Sequence, residues 1–413
     1  MSQGLTRRSS LGLATVALFV ALVSWSAPTP TFLPDTRYYA SMALHLAGNS
    51  QSYSRNYVAR YTEHLGYTTP RTRDLFSWGL VGPRLVYPTL SAPFIQEFGM
   101  GGMLVVPLIA FVLGVLAMAR TAVRRMPLAA AMVPLVLYLG SKGMVTYGTS
   151  MLTESLALLL VAAVAFMLPL DGRPAGRRAL WWVLGLMSIL AFTRQSTLIP
   201  AGAVTIAYLG SIVSQRRLRT PWLSFALVTT GTTLFWQWFQ GWLWPGFSQI
   251  TQWKYKTDTH TVFDALRASP DLFWKIVTTD TDYMVASDRP LLVLLALAVV
   301  AAIVRIHRVE GQLLLGALLA TILYSVTNGT PTAFRYGEPG MAFLVLGVGA
   351  LVQAALGSSW LRTPAPATEA GLAVDPAPAD EEVEDRAQGH GDGLGDEQLG
   401  TEVRSLEHDG ERA

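Results

Sequence analysis

Apolar runs recur along this 413-residue chain, at 11–27, 101–119, 126–140, 151–170, 179–192, 197–213, 222–244, 291–306, 312–326 and 339–356. A helix that crosses a bilayer needs roughly 20 mostly apolar residues, so the pattern predicts an all-α integral membrane protein of about ten transmembrane helices. Composition agrees: 51% of residues are hydrophobic and 14% charged, too little polar surface for a soluble domain of this length. Prolines 127 and 134 predict a kink or break in the third run.

Charge between the runs tests the count, because cytoplasmic loops are enriched in Lys and Arg. With Arg7 and Arg8 inside, the next inside loops carry Arg120, Arg124 and Arg125, then Arg173, Arg177 and Arg178, then Arg216, Arg217 and Arg219, then Arg305 and Arg308. Every second loop is arginine-rich, as ten spans with both termini cytoplasmic require. The stretch from Thr6 to Leu11 resembles a twin-arginine export signal, but cleavage there would break this alternation, so it reads as an uncleaved first span.

The formal charge of +3 hides an uneven distribution: residues 358–413 hold 14 of the 28 acids and four of the 31 basic residues. That segment, rich in Ala, Pro, Gly and acids, is expected to be a disordered cytoplasmic tail, leaving 1–357 as the membrane domain. The chain contains no cysteine, which removes disulfides, thiolate metal sites and Cys nucleophiles.

Two longer segments fall outside, 28–100 and 245–290. In the first, Tyr38, Tyr39, Met42 and Leu46 have helical spacing before Gly48, which predicts a helix lying along the outer surface. In the second, Ser269-Pro270-Asp271 has the form of a helix start, which would turn Leu272, Phe273 and Ile276 to the membrane interface.

Ionisable residues at the ends of spans are costly to hold near hydrocarbon and therefore informative. Asp35, Lys142, Glu154, Arg194, Arg335 and Glu338 all fall at outer ends in the ten-span reading. Asp35 has two roles open to it, helix cap or reacting carboxylate, and the two are compatible. At this depth a lipid-linked substrate would have its polar head, where a carboxylate can take a proton and cations can hold a phosphate. Asp35 and Glu154 are the acids available for this, and Arg194 and Arg335 the cations.

PDTRYY (34–39) after the first run, TSMLTESLALLL (149–160), AFTRQSTLIPA (191–201) and FRYGEPGMAFLVLG (334–347) together resemble the GT-C class of polytopic glycosyltransferases, such as the protein O-mannosyltransferases and lipid A aminoarabinose transferases. The resemblance implies an inverting transfer from a polyprenyl-phosphate-linked sugar to a cell-envelope glycan or protein, at the outer face of a bacterial inner membrane among its lipids, without nucleic acid. It implies Asp35 and Glu154 as catalytic acids, Arg194, Arg335 and Tyr336 around the donor phosphate, and Tyr38, Tyr39 and Arg84 against acceptor or sugar. Many members of the class carry two nearby acids in the first outer loop. Here the next acid after Asp35 is Glu63, so no metal site and no cofactor are expected, although a divalent metal is left open. The competing functions are a transporter or flippase of a lipid-linked or small substrate, and a non-catalytic partner in envelope assembly.

Overall fold

The computed structural model describes residues 32–77, 79, 81–170, 176–244 and 249–359. The expected first span, the twin-arginine-like stretch and the acidic tail lie outside these residues.

Among the described residues the secondary structure is helical. The elements are α1 (Thr36–Leu46), α2 (Gln51–Glu63), α3 (Thr72–Ser77), α4 (Val86–Phe98), α5 (Val105–Arg125), α6 (Leu128–Leu139), α7 (Lys142–Thr149), α8 (Glu154–Met167), α9 (Arg177–Thr193), α10 (Leu198–Gln215), α11 (Pro221–Leu243), α12 (Gln249–Lys256), α13 (Val262–Ser287), α14 (Arg289–Val304), α15 (Val309–Asn328) and α16 (Met341–Ser359). Short 3₁₀ turns join α4 to α5, α9 to α10 and α15 to α16.

Each apolar run after the first coincides with one of these helices. Four helical stretches are long and apolar enough to cross a membrane, or five if the bent pair α6 and α7 counts as one span. The outward faces of α5, α10, α11 and α14 are apolar, with Ile109, Leu113, Val213, Leu227, Leu234 and Ile303 exposed. So much exposed hydrocarbon is costly in water and favourable in lipid. Trp181 and Trp182 are exposed beside Arg177 and Arg178 at the start of α9, and Trp238 and Trp242 towards the end of α11, as interfacial aromatics are placed in membrane proteins.

The structure confirms the helix expected before Gly48, and it corrects or adds detail to four expectations. First, α1 is a buried element: Tyr39 to Leu44 are all buried, and the Thr36 hydroxyl donates to the Met151 carbonyl at 3.1 Å. Its apolar residues surround the helix because α2 and α4 pack against it. Secondly, the helix expected from Ser269 begins at Thr261, whose side chain accepts from the Asp264 N–H at 3.1 Å, and it runs through Pro270. The Thr-x-x-Asp cap won over the later Ser-Pro-Asp signal. Thirdly, α4, assigned by sequence to the outer segment, continues through the 3₁₀ turn at Gly99–Leu104 into α5, giving an apolar stretch Val86–Arg125.

Fourthly, the third run breaks after Leu139 and not at a proline: Pro134 lies within α6, and α6 and α7 meet at 74°. The Asp288 carboxylate caps this joint, accepting from the Ser141 hydroxyl at 2.7 Å and the Gly143 N–H at 2.8 Å. Protein groups therefore satisfy the polar atoms freed by the break.

Close helix packing depends on small residues. A Cβ added at Gly316 on α15 would lie 2.3 Å from the Gly202 carbonyl oxygen of α10, a backbone atom that cannot swing aside. Gly316→Ala is therefore expected to force α10 and α15 apart and cost about 1–3 kcal/mol. A thermal melt of the detergent-solubilised protein checks this, with an unshifted midpoint as the contrary result.

Candidate functional site

Four separated segments bring their charged residues to one place. Arg335, in the 3₁₀ turn Arg335–Gly340 ahead of α16, donates from Nη2 to Asp35 Oδ2 at 2.7 Å. Its Nε donates to Glu154 Oε1 in a close ion pair. Arg194, which ends α9, pairs from Nη1 with the same Glu154 oxygen at 2.7 Å and also reaches the Thr153 hydroxyl at 3.3 Å. The result is one chain of ion pairs, Asp35–Arg335–Glu154–Arg194.

Exposure grades along it. The side chains of Asp35 and Arg335 are 27% and 14% exposed, those of Glu154 and Arg194 0% and 1%. Charges held at such depth persist only when paired, because an uncompensated one costs several kcal/mol. Glu154 and Arg194 are thus locked together, whereas Asp35 and the edge of Arg335 form the accessible face.

Asp35 occupies the N-cap position of α1, but its side chain makes no capping hydrogen bond. Instead, the Thr36 hydroxyl accepts from the Leu33 N–H at 3.1 Å, leaving the Asp35 carboxylate to Arg335. Of its two possible roles, the helix cap is not the one its side chain takes here. Burial works to raise its pKa, but Arg335, with Arg84 and Arg194, outweighs burial and holds the carboxyl below its ordinary value. It is a carboxylate at neutral pH.

Aromatic rings and a third arginine surround the chain. Arg335 lies 5.7 Å from the Tyr147 ring centroid and Arg194 5.3 Å from that of Tyr336, both within cation–π range. Arg84, buried, donates to the Tyr39 hydroxyl at 2.8 Å and to Gln195 Oε1 at 3.0 Å. Tyr39, expected against acceptor or sugar, is fully buried edge-on against Tyr87 at 5.4 Å, so it is a core residue of this site. Tyr38 is half-buried beside the Arg37 guanidinium, 5.9 Å from its ring. Lys142 is exposed and takes no part.

The structure thus joins Asp35, Glu154, Arg194, Arg335 and Tyr336 directly, with Arg84 and Tyr39 linked through Gln195, the neighbour of Arg194. Sequence reasoning did not single out Thr153, Gln195 or Tyr147. The first two flank residues it had chosen, while Tyr147 carries no signal of its own. Nor did it give a role to Glu338, fully buried with both carboxyl oxygens without a hydrogen bond and close to Gly148, where an added Cβ would lie 3.0 Å from Oε1.

Arg335 is delivered by an unusual turn: the two residues before it, Ala333 and Phe334, have φ of 53° and 63°. For residues with a side chain this left-handed conformation costs roughly 1–2 kcal/mol each, so it persists only where surroundings impose it. Among the described residues no group of three or more His, Cys, Asp or Glu is arranged to hold a metal ion. Comparison with protein-family models, with curated proteins and with solved structures finds no match to this chain.

Proposed function

We propose that this protein is a polytopic glycosyltransferase that moves a sugar from a polyprenyl phosphate to an acceptor in the cell envelope. In this reading ten helices span the inner membrane, both termini are cytoplasmic, and the ion-pair chain opens at the extracytoplasmic interface. The observation that carries it is the partly exposed Asp35–Arg335 pair seated on the buried Glu154–Arg194 pair. A carboxylate and a guanidinium at one accessible point are what hydroxyl activation and phosphate departure require together.

The pairing suggests an order of events. In the resting site Arg335 lowers the basicity of Asp35. A donor phosphate arriving at Arg335 competes for its fork of N–H donors, freeing the Asp35 carboxylate. The acceptor oxygen then attacks the anomeric carbon as the bond from that carbon to the phosphate oxygen breaks, the hydroxyl proton passes to Asp35, and polyprenyl phosphate leaves on Arg335. Glu154 holds Arg335 in place, Arg194 balances Glu154, Arg84 adds to the positive field, and the Tyr336 ring packs against the Arg194 guanidinium. Tyr38, half-buried, is the tyrosine we assign to sugar or acceptor contact.

The test is binding of a panel of polyprenyl monophosphates to the protein in lipid nanodiscs. Wild type is expected to bind at least one, and Arg335→Ala to weaken it about tenfold or more, the loss of a charged hydrogen-bonding partner. Wild type that binds none, or binding indifferent to Arg335→Ala, would count against the reading.

A further inference from the structure

The turn that delivers Arg335 is held from a distant element. Asp280, buried on α13, accepts from the Ala333 N–H at 2.8 Å through Oδ1 and from the Phe334 N–H at 3.0 Å through Oδ2. These are the amides of the two left-handed residues. Two successive N–H groups converging on one carboxylate form an anion-binding concavity, here filled by the protein's own side chain. On the opposite side the Tyr147 hydroxyl donates to the Thr332 carbonyl at 3.1 Å, and the Tyr147 ring carries the Arg335 guanidinium. The Phe334 ring closes over Gly337, where any Cβ would lie 2.1 Å from Cε1. Backbone, ring and guanidinium are thus set as one unit, with Asp280 as its outside clamp.

We infer that Asp280 is a positioning residue for Arg335, so that α13, in the second long segment between apolar runs, is part of the site although it supplies no group to the ion-pair chain. The carboxylate imposes the left-handed pair, the pair fixes where Arg335 leaves the backbone, and that starting point lets one guanidinium reach both Asp35 and Glu154. Without the clamp the backbone relaxes to negative φ and the two contacts cannot be made together. The inference about geometry stands on these contacts, and only its ligand arm rests on the proposed function.

The experiment is a double-mutant cycle on the full-length protein in detergent, read by thermal melting, with Asp280→Asn and Arg335→Ala singly and combined. Asn keeps the shape but presents a donor to one of the two amides. If Asp280 acts through Arg335, Arg335→Ala lowers the midpoint in the wild-type background and by less than half as much in the Asp280→Asn background. Additive shifts would overturn the inference and leave Asp280 as a loop anchor only. Should Asp280→Asn fold poorly, Asp280→Asn with Ala333→Gly is used instead: glycine takes positive φ without strain, so the Arg335→Ala shift is expected to return towards its wild-type size, and a shift that stays small would overturn the inference.

A second readout separates this inference from the functional reading. Asp280→Asn is expected to weaken polyprenyl monophosphate binding about tenfold with Arg335 present and to have no further effect in Arg335→Ala. Equal weakening in both backgrounds would overturn the positioning role. A wild type that binds no polyprenyl monophosphate would sink the functional reading, while the melting cycle would still decide the role of Asp280.

Discussion

Glu154→Gln is expected to destabilise the folded protein by about 3–5 kcal/mol, the usual result of removing one member of a buried ion pair. Glu154 is fully buried and is the shared partner of Arg194 and Arg335. Neutralising it leaves Arg194, itself 1% exposed, with the Thr153 hydroxyl as its nearest remaining partner. The loss comes from the charge left behind, more than from the contact removed. Glu154→Leu combined with Arg194→Met should therefore recover much of the stability, because apolar residues of similar volume often replace a buried pair at little cost. Melting of the three proteins checks this, and a double variant as unstable as Glu154→Gln would show that packing, not charge, sets the loss.

Asp35→Asn is expected to do the reverse, sparing the fold and removing the activity. Its side chain is 27% exposed and joined to Arg335 by an ion pair at 2.7 Å, so its contribution to stability is screened and small. As the proposed base it acts in the transition state, where loss of a general base lowers rate by about 10²–10⁴-fold. Asparagine preserves volume and can still accept from Arg335, but it cannot take a proton.

The helical architecture was legible because bilayer-length apolar runs are local signals. The runs after the first each fold as helix, and Arg125, at the end of α5, pairs at 2.8 Å with Glu310 at the start of α15. Asp35, Glu154, Arg194 and Arg335 were legible for a related reason: an ionisable residue at the end of a span has few places to go except to another. What could not be read was relational. Asp280 matters through the backbone amides of Ala333 and Phe334, which no side-chain pattern advertises. Tyr39 and Tyr38 are neighbours in sequence, yet only packing by α2 and α4 decides that Tyr39 is enclosed and Tyr38 is not. Pro270 within α13 and the break between α6 and α7 at Gly140 show the same limit, since a proline or glycine restricts the backbone locally while its neighbours decide whether the helix continues.

The most direct test of the central claim is transfer of radiolabelled sugar from polyprenyl phosphate donors to membrane acceptors by purified protein in lipid, comparing wild type with Asp35→Asn. The account predicts transfer by wild type and a loss of at least about a hundredfold in the variant, with the melting midpoint retained. Equal transfer by the two proteins would contradict the assignment of Asp35 as base, and no transfer by wild type with any donor would contradict the function proposed.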